Sequence, residues 1–320
     1  MPANYPELWL NRVDNKLKTG DIAPWLDGIE EINADLSVIN GGAMNEINQI
    51  HIPSTDMDID ILINNNVYPI PVQNYADGTI TMSLDKYQTK QIPISDDQAI
   101  GSSYAKIDNV TGLMVQGMLI SKFSKAIYSI GPAANTANTP VLVTTGRSGN
   151  YDADGKEIIL FDGDRLCLTY FDLVKHKKQY DDNKVPLMDR RLVLCSDHIN
   201  DLLLDRRRFG DLLNNLNAGT IAPVIAGFKT YQYLVNPVYN GTNKLAYESV
   251  PEDGQWAGSV SFYGPNIGKK TGMTRQYYKP SVIDTENQSN TLAYRHYFMA
   301  SPKRNQYIGA IVSGTYVPVA

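Results

Sequence analysis

The hydrophobic pattern of the chain predicts one helix of unusual length, over residues 95–131. Apolar positions recur along it every three, four or seven residues and form two lines, Ile100, Tyr104, Ile107, Met114 and Met118, and Leu113, Gly117, Ile120, Phe123 and Ile127. Ser95 and Gln98 form a capping pattern at its start, and Gly131-Pro132 is a stop signal. Such a helix is about 50 Å long, roughly three times the usual length. We expect a rod-like helix that is covered by other parts of the protein on two sides, one for each apolar line.

Residues 50–94 contain two segments in which apolar and polar side chains alternate, a pattern typical of a two-stranded ribbon. The first predicted strand, residues 56–63, places four apolar side chains on one face: Met57, Ile59, Ile61 and Ile63. The second, residues 78–84, carries Ile80 and Met82, and Tyr75 belongs to the turn between them. Because an isolated ribbon is marginally stable in water, we expect this one to lie on another copy of the chain.

The remaining segments predict shorter elements. Residues 1–49 contain a short amphipathic helix with Trp9, followed by Trp25, and each tryptophan is either local core or an anchor on a neighbouring subunit. A second helix is predicted over residues 162–180, with Leu166, Tyr170, Leu173 and Val174 facing inward. A third is predicted over 199–209, within a region of short strands and helices.

Composition excludes several classes of protein. The 320 residues are 42% hydrophobic and 20% charged, which suits an ordered chain large enough for two cores. No signal peptide or membrane-length apolar run is present, and Cys167 and Cys195 have no metal-like spacing, so we expect an intracellular protein whose thiols are small buried hydrophobes. The net charge of −5, without a basic tail, argues against sequence-specific DNA binding.

Two basic clusters remain open to two interpretations. They are residues 175–178, which contain three lysines and His176, and the triplet Arg206, Arg207 and Arg208. Each is either a solvated helix end or a contact to acidic patches on neighbouring subunits.

Candidate catalytic and metal motifs are all incomplete. Residues 264–271 resemble a phosphate-binding loop, but the glycine spacing is one residue short. Asp56, Asp58 and Asp60 begin like a calcium loop, yet Ile61 and Val67 stand where glycine and glutamate are needed. Residues 152–155 have the composition of a tight turn, with an incidental cation as the alternative. The four histidines form no metal-spaced pair. We therefore predict no enzymatic activity, no metal and no cofactor.

Taken in order, these elements resemble a tailed-bacteriophage major capsid protein of the Hong Kong 97 (HK97-like) type over nearly the whole chain. Residues 183–195, followed by 199–203, resemble the passage of that family into its A-domain, with Asp189 where glycine is frequent. Residues 219–231 resemble a strand pair of the family, and residues 292–300 resemble the late strand of its P-domain.

The resemblance implies an α+β fold with five parts. They are an N-terminal arm at 1–49, an E-loop β-ribbon at 50–94, a P-domain at 95–185 with the spine helix at 95–131, an A-domain at 186–286, and C-terminal strands at 287–320 that return to the P-domain. Our candidates for assembly contacts are Trp9, Trp25, Ile59, Ile61, Ile63, Tyr75, Ile80, Met82, Gly117, Arg206, Arg207 and Arg208.

The implied function is that of a major capsid protein. Such a subunit self-assembles into pentamers and hexamers of an icosahedral shell around double-stranded DNA, which it contacts non-specifically. It is assembled in the bacterial cytoplasm and located in the virion, with no membrane association. The expected partners are a portal protein, a separate scaffolding protein and decoration proteins. The alternatives are an encapsulin-type nanocompartment shell and a tyrosine-rich β-structured binding protein.

Overall fold

The structure, a computed structural model, describes residues 23–32, 49–55, 61–70, 72–73, 77–205, 223–284 and 286–316, with backbone alone at 49–55, 77–80 and 96–108. Its α-helices are α1 (Asp96–Ile130), α2 (Tyr170–Asp182) and α3 (Ser196–Leu204). Its strands, in chain order, are β1 (Gln49–Thr55), β2 (Asp77–Ser83), β3 (Asp85–Gln88), β4 (Ile92–Ser95), β5 (Val141–Val143), β6 (Arg147–Tyr151), β7 (Glu157–Ile159), β8 (Phe161–Asp162), β9 (Arg165–Leu166), β10 (Arg190–Leu194), β11 (Val224–Ile225), β12 (Phe228–Gln232), β13 (Val238–Asn240), β14 (Asn243–Lys244), β15 (Gln255–Ala257), β16 (Ser259–Tyr263), β17 (Ile267–Lys279), β18 (Ser289–Pro302) and β19 (Ile308–Val312).

A six-stranded sheet forms the centre of one half of the molecule, in the order β11, β12, β10, β16, β19, β5. β10 pairs in parallel with β12, and β19 in parallel with β5, while the other neighbours are antiparallel. Every residue of β10 and β19 is buried. This requires both faces of the sheet to be covered, which explains why β19 and residues 192–194 of β10 are continuous apolar runs instead of alternating ones.

Helices α2 and α3 cover one face of the six-stranded sheet. Leu173, Tyr180 and Leu202 pack with Leu192 and Leu194 of β10. Helix α2 begins at Thr169, whose side chain forms a capping box with Asp172. The prediction of a helix over 162–180 was therefore wrong at its start. Leu166 belongs to strand β9, and Tyr170 and Val174 are exposed because His176 and Tyr180 occupy the inward face.

A second sheet is built around the long hairpin of β17 and β18. β18 pairs with β17 on one edge and with both β3 and β4 on the other. One face of this hairpin sheet carries Leu292, Tyr294, Phe298 and Ala300 and belongs to the same hydrophobic cluster as α1. The hairpin crosses the predicted domain boundary at 286/287, and β19 lies in the six-stranded sheet, so the last part of the chain contributes to both sheets.

Helix α1 joins the two sheets through one continuous apolar cluster. Phe123 packs edge to face on Phe298 of the hairpin sheet at 6.3 Å between ring centroids, and Ile127 and Ile130 are fully buried beside Val260 of the six-stranded sheet. The helix ends at Ile130, and Gly131, its C-cap, adopts an extended conformation before Pro132, in agreement with the predicted stop signal. Glycine suits this position because a Cβ there would lie 2.9 Å from the Tyr239 hydroxyl.

Two expectations for α1 were wrong. The Ser95 side chain makes no capping hydrogen bond. Leu113 and Ile120 are exposed while Met114, Met118, Phe123 and Ile127 are buried, so the described side chains cover the rod on one side only. The second apolar line therefore mixes surface and core positions, and it enters the core only towards the end of the helix.

The ribbon is present, and its first described strand is β1 at Gln49–Thr55, before the predicted segment 56–63. β1 pairs antiparallel with β2, with Ile52 opposite Ile80. Ile61 and Ile63 lie in irregular backbone, and Asn64 adopts a positive φ of 54°, a conformation outside the strand region. Residues 56–60, the rest of the predicted strand, lie outside the described residues.

No helix among the described residues is both long and apolar enough to cross a membrane.

A buried polar seam connects α2 and α3 to the six-stranded sheet. Ser261 of β16 accepts or donates hydrogen bonds with His176 Nε2 at 2.7 Å and the Tyr180 hydroxyl at 2.8 Å. Two residues earlier, Ser259 contacts His198 Nδ1 at 2.7 Å, and His198 Nε2 contacts Ser313 at 3.0 Å. Both histidines are fully buried, and this burial lowers the pKa of each to about 4.

The two buried histidines of the seam predict that the free energy of unfolding decreases in acid. Because the folded pKa of each histidine lies below its unfolded value of about 6.5, the stabilisation is complete above pH 6.5 and is lost as the pH falls towards 4. We expect the free energy of unfolding to fall by about 1–2 kcal/mol per histidine between pH 7 and pH 5, measured by denaturant unfolding. The double variant His176→Gln/His198→Gln should show a shallower pH dependence. An equal pH dependence in both proteins would contradict this assignment.

Candidate assembly surface

Of the predicted contact residues, some are exposed, some are buried, and the others have side chains that the structure does not describe. Ile61, Ile63 and Gly117 are exposed, whereas Trp25 and Met82 are buried. Ile80 lies in β2, where only the backbone is described. Trp9, Ile59, Tyr75, Arg206, Arg207 and Arg208 lie outside the described residues.

Trp25 is part of the subunit's own core, so the local-core alternative is correct for this residue. Its ring packs edge to face on Tyr233 at 5.8 Å and on Phe262 at 6.4 Å, and it has no exposed surface. Met82 likewise packs with Leu84 and Met299 within the subunit. Neither side chain is available to a neighbour in this conformation, which corrects their assignment as contacts.

Among the residues that the structure describes, exposed apolar side chains are most numerous in the segment that follows residues 56–60. We call residues 61–70 and 72 the apolar loop. Its large exposed hydrophobic residues are Ile61, Leu62, Ile63, Val67, Tyr68, Ile70 and Val72, and the most exposed, Val72, has 90% of its surface accessible. Soluble monomers rarely expose contiguous apolar surface of this kind, and larger patches mark interaction sites. The apolar loop therefore has the character of a contact surface.

A second exposed strip lies on α1. Leu113, Gly117 and Ile120 follow one another at spacings of four and three residues and face away from both sheets. Beside Ile120 a groove of about 300 Å³ separates α1 from residues 235–249, and Tyr128, Val235 and Tyr247 contribute to its walls.

Lys244 fixes residues 235–249 to the end of α1, a role that no sequence pattern indicated. Its Nζ donates to the carbonyl oxygens of Tyr128 at 2.8 Å and Gly131 at 2.5 Å, and it lies 4.3 Å from the Tyr128 ring centroid. A cation at this position satisfies carbonyls that the helix leaves unpaired. Burial, with the nearby charge of Lys125, lowers the pKa of Lys244 to about 8. Lys244 belongs to β14, which pairs with β13 and not with α1. Only the tertiary fold therefore brings Lys244 to the end of the helix.

The basic cluster at 175–178 is largely neutralised within α2. Lys177 and Lys178 form ion pairs with Asp181 and Asp182 one turn later, at 3.3 and 2.6 Å. His176 is buried in the polar seam. These contacts favour the solvated-helix interpretation over a contact to a neighbour.

The incomplete motifs of the sequence find no metal cluster in the part of the chain that the structure describes. Among the described residues, no group of three histidine, cysteine, aspartate or glutamate residues could hold a metal ion. Burial raises the pKa of the Cys195 thiol to about 11 and that of Cys167 to about 12, so both stay protonated at neutral pH and are poor nucleophiles. In the tight turn at 152–155, Asp152 Oδ1 accepts hydrogen bonds from the backbone N–H groups of Asp154 and Lys156. This carboxylate oxygen therefore stabilises the turn.

Comparison of the whole fold with solved structures identifies its architecture. The capsid of cyanophage P-SCSP1u is similar, with a TM-score of 0.57 and 12% identity over 82% of this chain and 83% of that chain. A structure from Mycobacterium phage Che8 has a TM-score of 0.53 and 13% identity over 88% and 93%. The mature capsid of bacteriophage PhiM1 has a TM-score of 0.54 and 13% identity over 82% and 81%.

The chain has a phage capsid fold. The expected α+β capsid architecture is thereby confirmed at the level of the overall fold. No protein-family profile and no curated protein sequence matches the chain. The low identities explain this, because the shared feature is the arrangement of elements and not a set of shared residues.

The exposed strip on α1 predicts a specific effect of substitutions at Gly117. A Cβ at Gly117 meets no atom within 4 Å, so Gly117→Ala should leave the subunit folded and stabilise the helix by up to about 1 kcal/mol. We expect Gly117→Ala and Gly117→Leu nevertheless to impair assembly or maturation of shells, because they add bulk to a contact strip. Circular dichroism and light scattering measure the two effects.

Gly112 provides the matched control, since a Cβ there also meets no atom within 4 Å and its position on α1 points away from the strip. Gly112→Ala should give normal particles. Normal particles that mature normally in both Gly117 variants would show that this strip is not a contact.

Proposed function

We propose that the protein is the major capsid protein of a tailed bacteriophage and forms an icosahedral shell of pentamers and hexamers around double-stranded DNA. The observation that carries the proposal is the capsid fold shared with the structures named above, over more than four fifths of the chain.

Within this proposal the elements take the roles that the Hong Kong 97 resemblance implies. Residues 1–49 are the N-terminal arm, and residues 50–94, which contain most of the ribbon and the apolar loop, are the E-loop. Residues 95–185, with α1 as the spine helix, are the P-domain, residues 186–286 are the A-domain, and residues 287–320 return to the P-domain. The support for these roles is the matching order of elements along the chain.

The apolar loop supplies the principal contact in this proposal. A subunit that engages several neighbours through loop, arm and helix gains from effective concentration, so each contact can be weak and reversible while the closed shell is stable. The partners are other copies of the chain, a portal protein, a separate scaffolding protein and decoration proteins, with DNA contacted non-specifically. The subunit assembles in the host cytoplasm and resides in the virion.

The proposal predicts that the apolar loop is required for assembly and not for folding. The triple variant Ile61→Ser/Ile63→Ser/Val72→Ser removes apolar surface that is more than three quarters exposed, so the subunit should stay folded by circular dichroism. Electron microscopy should show closed particles for the natural chain and few or none for the variant, because the neighbour loses its apolar contacts.

A matched control uses apolar residues that are as exposed but lie elsewhere. Val250→Ser/Val282→Ser changes side chains with 85% and 90% exposure outside the loop and should leave assembly normal. Normal particles from the loop variant would contradict the contact role of the loop, while failure of the natural chain to form any closed shell would contradict the function.

The encapsulin alternative differs in its contents and not in its fold. The similar structures named above are from phages, which favours the capsid. Nuclease-protected double-stranded DNA inside particles isolated from the natural host would support the capsid, and an enzyme cargo without DNA would contradict it.

A further inference from the structure

Residues 23–32 cross the junction between the two sheets of the subunit. Near one end, the Trp25 ring is fully buried and packs edge to face on Phe262 of the six-stranded sheet, at 6.4 Å between ring centroids. At the other end, the Ile32 N–H donates to the Lys269 carbonyl oxygen of β17 in the hairpin sheet, at 2.9 Å. We call residues 23–32 the strap, because they are attached to both sheets.

Cationic side chains from both sheets hold the main chain of the strap. The Arg191 guanidinium of β10 donates to the carbonyl oxygens of Trp25 at 2.8 Å and Asp27 at 2.6 Å. Lys270 Nζ of β17 donates to the carbonyl oxygen of Ile32 at 3.0 Å. Because the acceptors are main-chain carbonyls, these contacts fix the path of the backbone from one sheet to the other.

Asp189 holds the Arg191 guanidinium in the position from which it reaches the strap. The two carboxylate oxygens of Asp189 accept hydrogen bonds from Arg191 Nε at 3.2 Å and Arg191 Nη2 at 3.1 Å. Lys229 Nζ donates to the same carboxylate at 3.0 Å. Arg191 is buried, whereas the Lys229 side chain is about half exposed. A buried guanidinium needs such a partner, so Asp189 and Arg191 form one unit to which Lys229 adds an exposed contact.

Asp189 also lies where the chain passes from one sheet to the other. The short 3₁₀ helix Gly264–Asn266 joins β16 of the six-stranded sheet to β17 of the hairpin sheet. The Gly264 N–H donates to the Asp189 carbonyl oxygen at 3.0 Å, and a Cβ on Gly264 would collide with the Asp189 carboxylate. Asp189 therefore contacts this crossover as well as the side chain that holds the strap.

The backbone at Asp189 separates the role of its side chain from that of its turn. Its φ of 58° lies in the left-handed region, which glycine adopts without steric cost. If the turn alone mattered, glycine would serve better at this position. Asp189→Gly therefore relaxes the turn and removes only the carboxylate.

We propose that the strap locks the angle between the six-stranded sheet and the hairpin sheet, and that Asp189 is the latch residue that keeps the strap docked through Arg191. When the strap is released, the sheets stay connected through α1 and through the crossover at Gly264–Asn266, about which they can turn. Asp189 is a positioning residue, since it acts on the strap through Arg191. The inference rests on the fold and not on the proposed function.

Hydrogen exchange of the full-length, unassembled chain, followed by mass spectrometry, tests the latch. Asp189→Gly leaves the Arg191 guanidinium without its carboxylate, so the strap should exchange at least about tenfold faster than in the natural chain. Exchange in α2 should not change, because release of the strap is local. Asp189→Asn keeps the shape and the tolerance of positive φ but not the charge, so its effect should be smaller.

Lys229→Met is the matched control, because it removes the exposed partner of the same carboxylate and leaves Arg191 in place. Exposed ion pairs contribute little to stability, so exchange of the strap should stay within about twofold of that in the natural chain.

Distances between spin labels test the lock. In a background of Cys167→Ala/Cys195→Ala, Lys178→Cys on α2 and Val282→Cys between β17 and β18 place labels on the two halves, at exposed positions. Double electron–electron resonance should give a narrow distribution of label distances, which Asp189→Gly should broaden. The exchange experiment retains both native cysteines and does not depend on this background.

Four results would overturn the proposal. Unchanged or slower exchange of the strap in Asp189→Gly would show that the residue serves only its turn. Equal acceleration in Asp189→Gly and Lys229→Met would reduce the effect to one of surface charge. Acceleration throughout α2 would make it global unfolding. Faster exchange of the strap with an unchanged distance distribution would show that the strap does not lock the sheets.

Discussion

The packing of α1 against both sheets is the constraint on which the rest of the structure depends. Phe123 meets Phe298 of the hairpin sheet, while Ile127 and Ile130 are buried against the six-stranded sheet, so one rod belongs to two cores at once. Lys244 then holds the end of that rod to residues 235–249 through two main-chain carbonyls. A displacement of either sheet must therefore move or bend α1, and this couples the two halves of the subunit mechanically.

The described structure separates residues that stabilise the subunit from residues that remain exposed. Trp25, Met82 and the histidine-serine seam are buried and belong to folding. The large apolar side chains of the apolar loop, and Leu113 and Ile120 on α1, lie outside the cores and are exposed to solvent. A protein that functions by association requires this separation, since contact surfaces must be able to change partners without loss of the fold.

Local sequence signals predicted the elements that depend on local chemistry. The 35-residue helix was correct to within a residue at both ends, because its period and its stop signal are carried by adjacent residues. The partner of β2 was not predicted, because residues 49–55 carry only a short alternation, Ile50 and Ile52, and only the pairing with β2 identifies them as a strand. The start of α2 was missed because Leu166 fits a helical period as well as strand β9. Trp25 and Lys244 depend on partners more than 100 residues away, which no local pattern reveals.

A three-dimensional reconstruction by electron cryomicroscopy of the particles formed by the full-length chain tests the central claim most directly. The account predicts a closed icosahedral shell in which α1 runs unbroken between its two sheets, residues 23–32 stay against their own subunit, and the apolar loop is buried against a neighbour. A protein that remains monomeric at high concentration, with the apolar loop still exposed to solvent, would contradict it.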